Sequence, residues 1–255
     1  MKSMKFFYLY ILSILFCFAF TTCEIDNYDA PDCTITGKIL DHNNQPFQIN
    51  HGAGILRIRE ISWAKNDETY TGNQSLNVQQ DGTYQHTKMF KGTYRIWPRS
   101  GAHFPYDDVN LDNDNSGDIV EINGTTTKDF VVTPFLTLEW VQKPTVDADG
   151  YLSCSVKFKR NQKGDYQMPN LRRGRLLVSR TINAGAADSD LFNSYINLTN
   201  DQEGAAITFK TTKPLKYTGI NYWVRVWISC QGVSAYPGIA SEAANYSTIE
   251  QIFVP

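Results

Sequence analysis

Residues 81–98 read "DGTYQHTKMFKGTYRIWP", from Asp81 to Pro98. Turn-forming pairs sit at Asp81–Gly82 and Lys91–Gly92, and between them threonine and aromatic residues recur without any 3.6-residue period. Glycine and proline punctuate local structure, while β-branched and aromatic runs of this length favour extended chain. The stretch therefore predicts two strands joined by a turn at Lys91–Gly92.

The same grammar repeats outward in both directions. In "TITGKILD" (residues 34–41), Ile35, Gly37 and Ile39 alternate with Thr36, Lys38 and Leu40, and "HNNQPF" (residues 42–47) follows as a polar turn. "ILRIREI" sets Leu56 and Ile58 against Arg57 and Arg59. "DIVEING" and "KDFVVTP" predict two more strands meeting at a hairpin around Asn123–Gly124, since Asn-Gly suits a tight two-residue turn. Beyond Pro134 come "GYLSCSVKFKR", "RGRLLVSRT", "AAITFKT", "NYWVRVWIS" and "IEQIFVP". Pro134 and Pro144 bracket an expected edge strand, because proline cannot donate into a ladder. Long helical patterns are absent. The expected fold is all-β, two consecutive β-sandwiches over residues 34–133 and 134–255.

The N-terminus reads as a targeting segment. Lys2 and Lys5 precede an apolar run from Phe6 to Phe20, too short for a spanning helix. The run stops at "FTTC", which resembles a bacterial lipobox with Cys23 as the lipidated residue. That resemblance implies a signal peptide over residues 1–22, a linker over 23–33 and a lipid anchor at Cys23. Ordinary secretion, with Cys23 in a disulfide, is the other reading. Losing Lys2 and Lys5 would take the formal charge from -2 to -4. With no basic patch, nucleic acid is an unfavourable partner.

Three further cysteines follow, Cys33, Cys154 and Cys230. Parity lets Cys154 and Cys230 face one core. Their opposite places along the two strands argue against a bridge and for buried free thiols.

Gly37, Asp41, Asp81, Gly82, Tyr84, Gly92, Tyr94 and Ile96 match a pattern that resembles the carboxypeptidase-regulatory or transthyretin-like sandwich, whose members are usually non-catalytic. The stretch "ITFKTTKPLKYTGINYWVRV" (residues 207–226) resembles two strands of a fibronectin type III or immunoglobulin-like sandwich, with Tyr222 as its corner tyrosine. The order of parts, including "CEIDNYDAPD" and "VTPFL", is similar to two-domain outer-membrane lipoproteins of Bacteroidetes-type glycan-uptake systems. That resemblance implies an accessory role beside a TonB-dependent transporter and a glycan-binding lipoprotein of starch-utilisation type.

No catalytic constellation emerges, so an enzyme is not expected. His42, His51, His86 and His103 are scattered, and no G-x-S-x-G motif occurs. In "DNDNSGD", the oxygens of Asp112, Asp114, Ser116 and Asp118 alternate around Gly117 and suit calcium. The closing bidentate acid is missing at Asn123, and a plain polar turn explains the same residues.

Sugar recognition needs exposed aromatic faces, and the chain has 5 Trp and 14 Tyr. If Tyr222, Val224, Val226 and Ile228 point into the core, then Trp223, Arg225 and Trp227 share the outer face. With Trp97 and Trp63, they are the candidate carbohydrate-binding residues. The same ladder also stabilises a sheet without any ligand. Two functions follow: a surface adaptor or glycan-binding lipoprotein, or a spacer with no ligand of its own.

Overall fold

The structure is a computed structural model and describes residues 30–50, 52, 54–62, 72–107, 117–185, 195–233 and 242–255. The expected signal peptide and Cys23 lie outside the described residues, as do Trp63, Asp112, Asp114 and Ser116. Residues 32–255 form one compact unit.

Its first half is built from β1 (Cys33–Asp41), β2 (Gly54–Glu60), β3 (Gln74–Val78), β4 (Thr83–Met89), β5 (Gly92–Ser100), β6 (Asp118–Ile122), β7 (Thr125–Thr127) and β8 (Phe130–Val132). One sheet places β1 between antiparallel β4 and parallel β7, with β8 also pairing β1 in parallel; the other runs β3-β2-β5-β6. Ile35, Ile39, Tyr84 and Phe130 from the first sheet meet Leu56, Ile58, Ile96 and Ile122 from the second in one apolar core.

The two strands joined at Lys91–Gly92 are present, and because β4 pairs β1 while β5 pairs β2 and β6, the chain turns a corner between sheets there. One local expectation changes: Asn123–Gly124 is not a hairpin. Gly124 takes φ +69°, its carbonyl accepts from the Thr34 amide at 2.8 Å, and the chain crosses from β6 to join β1. The parallel ladder with β1 satisfies backbone groups that a hairpin would have paired locally.

The sequence pattern around β1 has direct causes. A side chain at Gly37 would collide with the Lys128 carbonyl, its Cβ lying only 1.8 Å from that oxygen. Tyr84 donates its hydroxyl to the same carbonyl. Asp41 accepts from the amides of Asn43 and Gln45 at 2.8 and 2.9 Å, which ties the polar turn back to its strand.

The second half contains β9 (Leu136–Val146), β10 (Leu152–Arg160), β11 (Leu171–Ser179), β12 (Ile196–Asn197), β13 (Ile207–Lys210), β14 (Ile220–Gln231), β15 (Glu242–Tyr246) and β16 (Glu250–Val254). A three-stranded sheet runs β13-β10-β9 and faces a five-stranded one, β12-β11-β14-β15 with β16 on β14. β9 is an edge strand, as Pro134 and Pro144 predict, and the Pro144 region coincides with a register shift against β10. Val156, Phe158, Leu176, Val224, Val226 and Ile228 fill the core between these sheets. Ala102 and Phe104, which precede Pro134, join this second core rather than the first.

Cys154 and Cys230 lie in that core as free, fully buried thiols. Burial pushes both up to about 12, so they stay protonated. Tyr222 behaves as a corner tyrosine. Its hydroxyl donates to the Tyr217 carbonyl at 3.2 Å and accepts from the Tyr217 amide at 3.1 Å. Among the described residues, no helix is long and apolar enough to cross a membrane.

Candidate functional site: an arginine–aromatic face

The alternation in β14 sorts its side chains as expected. Tyr222, Val224, Val226 and Ile228 turn inward, and the intervening set turns to the opposite face of the sheet. The outcome on that face differs from one residue to the next. Arg225 is completely buried rather than displayed, because carbonyl and amide groups of the first sandwich close over it. Trp227 is 8% exposed and packs with Leu177 and Tyr246. Trp223 is half-buried. Trp97 is also buried, near the backbone of Gly117, and sits apart in the first sandwich.

Register decides what stands beside Trp227. Arg175 of β11 is its direct neighbour on one side and Tyr246 of β15 on the other. Two residues along, Arg173 pairs with Ser229. Gly174, between the two arginines, faces the core, where an added Cβ would lie 2.8 Å from the Phe209 ring. That close approach seats β11 against the core and leaves both guanidinium groups on the outer face.

Tyr195, immediately before β12, covers this row and remains 45% exposed. Its ring centroid lies 5.6 Å from that of Trp227, tilted by 51°. The Arg173 guanidinium carbon stands 3.9 Å from the Tyr195 centroid, and the Arg175 carbon 5.1 Å from it. These distances lie in the range of cation–π stacking.

The two arginines have different electrostatic surroundings. Arg173 grips Glu242 in bidentate fashion, with Nε and Nη2 donating to the two carboxylate oxygens at 2.9 and 2.7 Å. Arg172 and the Ser229 hydroxyl donate to the same carboxylate at 3.0 and 2.6 Å. Burial pushes the Glu242 carboxyl up, but the bonds from Arg173 and Ser229 outweigh it and hold the group below its ordinary value. Arg175 is only 8% exposed, donates from Nη1 to the Tyr195 hydroxyl at 3.3 Å, and leaves Nε without a partner. Among the described residues no carboxylate pairs with it.

Elsewhere the candidate chemistry is sparse. Asp118, the described member of the expected calcium loop, forms an ion pair with Lys128 at 2.6 Å and accepts from the Tyr106 hydroxyl at 2.9 Å. Among the described residues, no cluster of three or more metal-ligating side chains occurs. A cleft of about 340 Å³ opens where Asp41, Gln45 and Phe47 face Leu138, Glu139 and Tyr246. A second, of about 560 Å³, lies along β1 and β4 beside Lys38, Tyr84 and Asp129. The face around Tyr195 combines an exposed ring with two arginines over it and a second aromatic, Trp227, beside it; Tyr217, 40% exposed with Arg180 and Lys216 each 5.1 Å from its ring centre, shares only the cations.

Residues 33–133 match a family model described as "Protein of unknown function (DUF3823) N-terminal domain". The fold is shared with solved DUF3823 structures. A DUF3823 family protein from Bacteroides uniformis ATCC 8492 aligns with a TM-score of 0.73 at 25% identity, covering 88% of this chain and all of its own. A DUF3823 family protein from Parabacteroides merdae ATCC 43184 aligns at 0.63 and 19%, with the same coverage. A third structure, from Bacteroides uniformis ATCC 8492 and described as "a putative carbohydrate binding protein", aligns at 0.69 and 18% over 88% of this chain and all of its own. No curated protein sequence matches the chain.

Proposed function

We propose that the protein is a surface lipoprotein, anchored through Cys23, that binds glycan as a non-catalytic accessory of a polysaccharide-uptake system. Its partners in this reading are a TonB-dependent transporter and a companion glycan-binding lipoprotein.

The observation that carries the reading is Tyr195, exposed at the surface beside Trp227 with Arg173 and Arg175 over its ring and Glu242 held by Arg173. A sugar offers C–H patches to an aromatic ring and hydroxyls to nearby donors and acceptors, and this face presents both kinds of group. The carbohydrate-binding description carried by one neighbour of the same fold supports it. The lipobox resemblance of "FTTC" supports the anchor. One lipid chain binds a membrane marginally and several bind it firmly.

Affinity electrophoresis through polysaccharide-containing gels tests the binding, using protein that begins after Cys23. Retardation that disappears in Tyr195→Ala is expected. Absence of wild-type retardation on every gel would remove the reading and leave the spacer role, and equal retardation of the two proteins would place the glycan away from Tyr195. Incorporation of labelled palmitate, lost in Cys23→Ala, tests the anchor.

A further inference from the structure

We infer that the glycan taken at this face is acidic, a sugar carrying an oxyanion that Arg175 and the Tyr195 hydroxyl receive together. The inference rests on the glycan-binding reading and narrows its ligand class.

Among the described residues the charges on the face do not balance. Arg172, Arg173 and Arg175 bring three cations, and Glu242 is the carboxylate that answers the first two. Arg175 is more than nine-tenths buried, and among the described residues it has no carboxylate partner. Its Nε is unpaired as well. A buried cation without a counter-charge is unfavourable, because desolvation is not repaid by attraction. An anion arriving from outside repays it.

Geometry shapes what that anion can be. Arg175 Nη1 and the Tyr195 hydroxyl lie 3.3 Å apart, so both can address one group of oxygens. The guanidinium fork suits planar or tetrahedral oxyanions better than a neutral hydroxyl. The half-exposed Tyr195 ring sits where the sugar bearing that oxyanion would rest. The charge of the whole chain is -2, so attraction to polyanions comes from this face and not from a general positive field.

A uronate carboxylate and a sulfate ester supply the same chemistry, and two arms of a titration separate them. The full chain in non-ionic detergent is titrated by calorimetry with oligogalacturonate against its methyl ester, and with sulfated dextran oligosaccharides against plain dextran. One acidic probe is expected to bind at least tenfold more tightly than its neutral counterpart, and the arm in which this occurs identifies the source. Arg175→Gln is expected to lose at least tenfold in that affinity with no fall in melting temperature, because it removes an unanswered charge. Tyr195→Phe, which deletes only the hydroxyl, should lose several-fold. Lys157→Gln, on the opposite sheet and paired with Glu139, should bind as wild type. Equal binding of neutral and acidic probes, or unchanged affinity in both Arg175→Gln and Tyr195→Phe, overturns the acidic-ligand inference and leaves glycan binding standing. Binding of none of the four probes overturns the inference, and absence of retardation on every gel removes the wider reading.

Discussion

The Arg225 guanidinium, on β14 of the second sandwich, donates from Nη1 to the carbonyl of Ile49 in the first, 3.0 Å away. Nε donates to the Ser247 carbonyl at 3.2 Å, and the amide oxygens of Gln80 and Gln48 stand at 3.4 and 3.5 Å. The guanidinium carbon lies 4.6 Å from the centre of the Tyr246 ring. Burial pulls this group down to about 10, and it remains a cation at neutral pH. Arg225 thus belongs to the joint between the sandwiches.

Removing this side chain should loosen that joint. Arg225→Ala leaves the Ile49 and Ser247 carbonyls without their donor and opens a void, a loss of about 2–4 kcal/mol. Arg225→Met keeps the volume and should cost less. Urea unfolding followed by tryptophan fluorescence measures both, and an Arg225→Ala midpoint equal to wild type would mean the joint does not depend on this residue.

His103 should make stability depend on pH. It is 4% exposed, its Nδ1 lies 2.7 Å from the Phe104 carbonyl, and Nε2 has no partner. The carbonyl accepts a proton from Nδ1, so the neutral ring is the Nδ1–H tautomer. Burial pushes its pKa down to about 4, with the Lys163 charge adding to the effect. The folded value lies below the unfolded one, so this contribution is complete above pH ~6.5 and is lost as pH falls toward 4. The full loss is about 3 kcal/mol. His103→Gln should flatten this part of a pH–stability curve, and an unchanged slope would place the titration elsewhere.

The buried thiols should be silent in the native state. Cys33, Cys154 and Cys230 are at most 3% exposed. A thiol reagent at pH 8 is expected to label none of them until denaturant is added, and then to label all three. Rapid labelling of Cys154 or Cys230 in the folded protein would show that the second core opens far more readily than its packing implies.

Tyr222→Phe deletes both hydrogen bonds to Tyr217 while keeping the ring in the core. A loss of about 1–3 kcal/mol is expected, read as a shift in urea midpoint at constant slope. No shift would mean the corner is held by packing alone.

Much of the fold could be read from residue order because its causes are local. Alternation along residues 222–229 separates core from outer face, since side chains in a strand take opposite sides in turn. The glycine at position 37 marks a place where the Lys128 carbonyl leaves no room for a side chain. What could not be read depended on partners distant in sequence. The outward position of Arg225 is plain from alternation, but its burial comes from Ile49 and Gln80. Asn123–Gly124 has hairpin composition, yet a parallel ladder with β1 sets its role. Tyr195, Arg173, Arg175 and Glu242 were missed as candidate site residues. The two arginines alternate visibly in "RGRLLVS", but only register places Arg175 beside Trp227 and brings Glu242 within reach of Arg173.

The most direct test of glycan binding at this face is a crystal structure with a bound oligosaccharide chosen from the retarding gels. The expected result is a sugar ring against Tyr195, with an oxyanion on Arg175. A sugar seated instead in the cleft beside Phe47 and Tyr246, with the Tyr195 face empty, would contradict it.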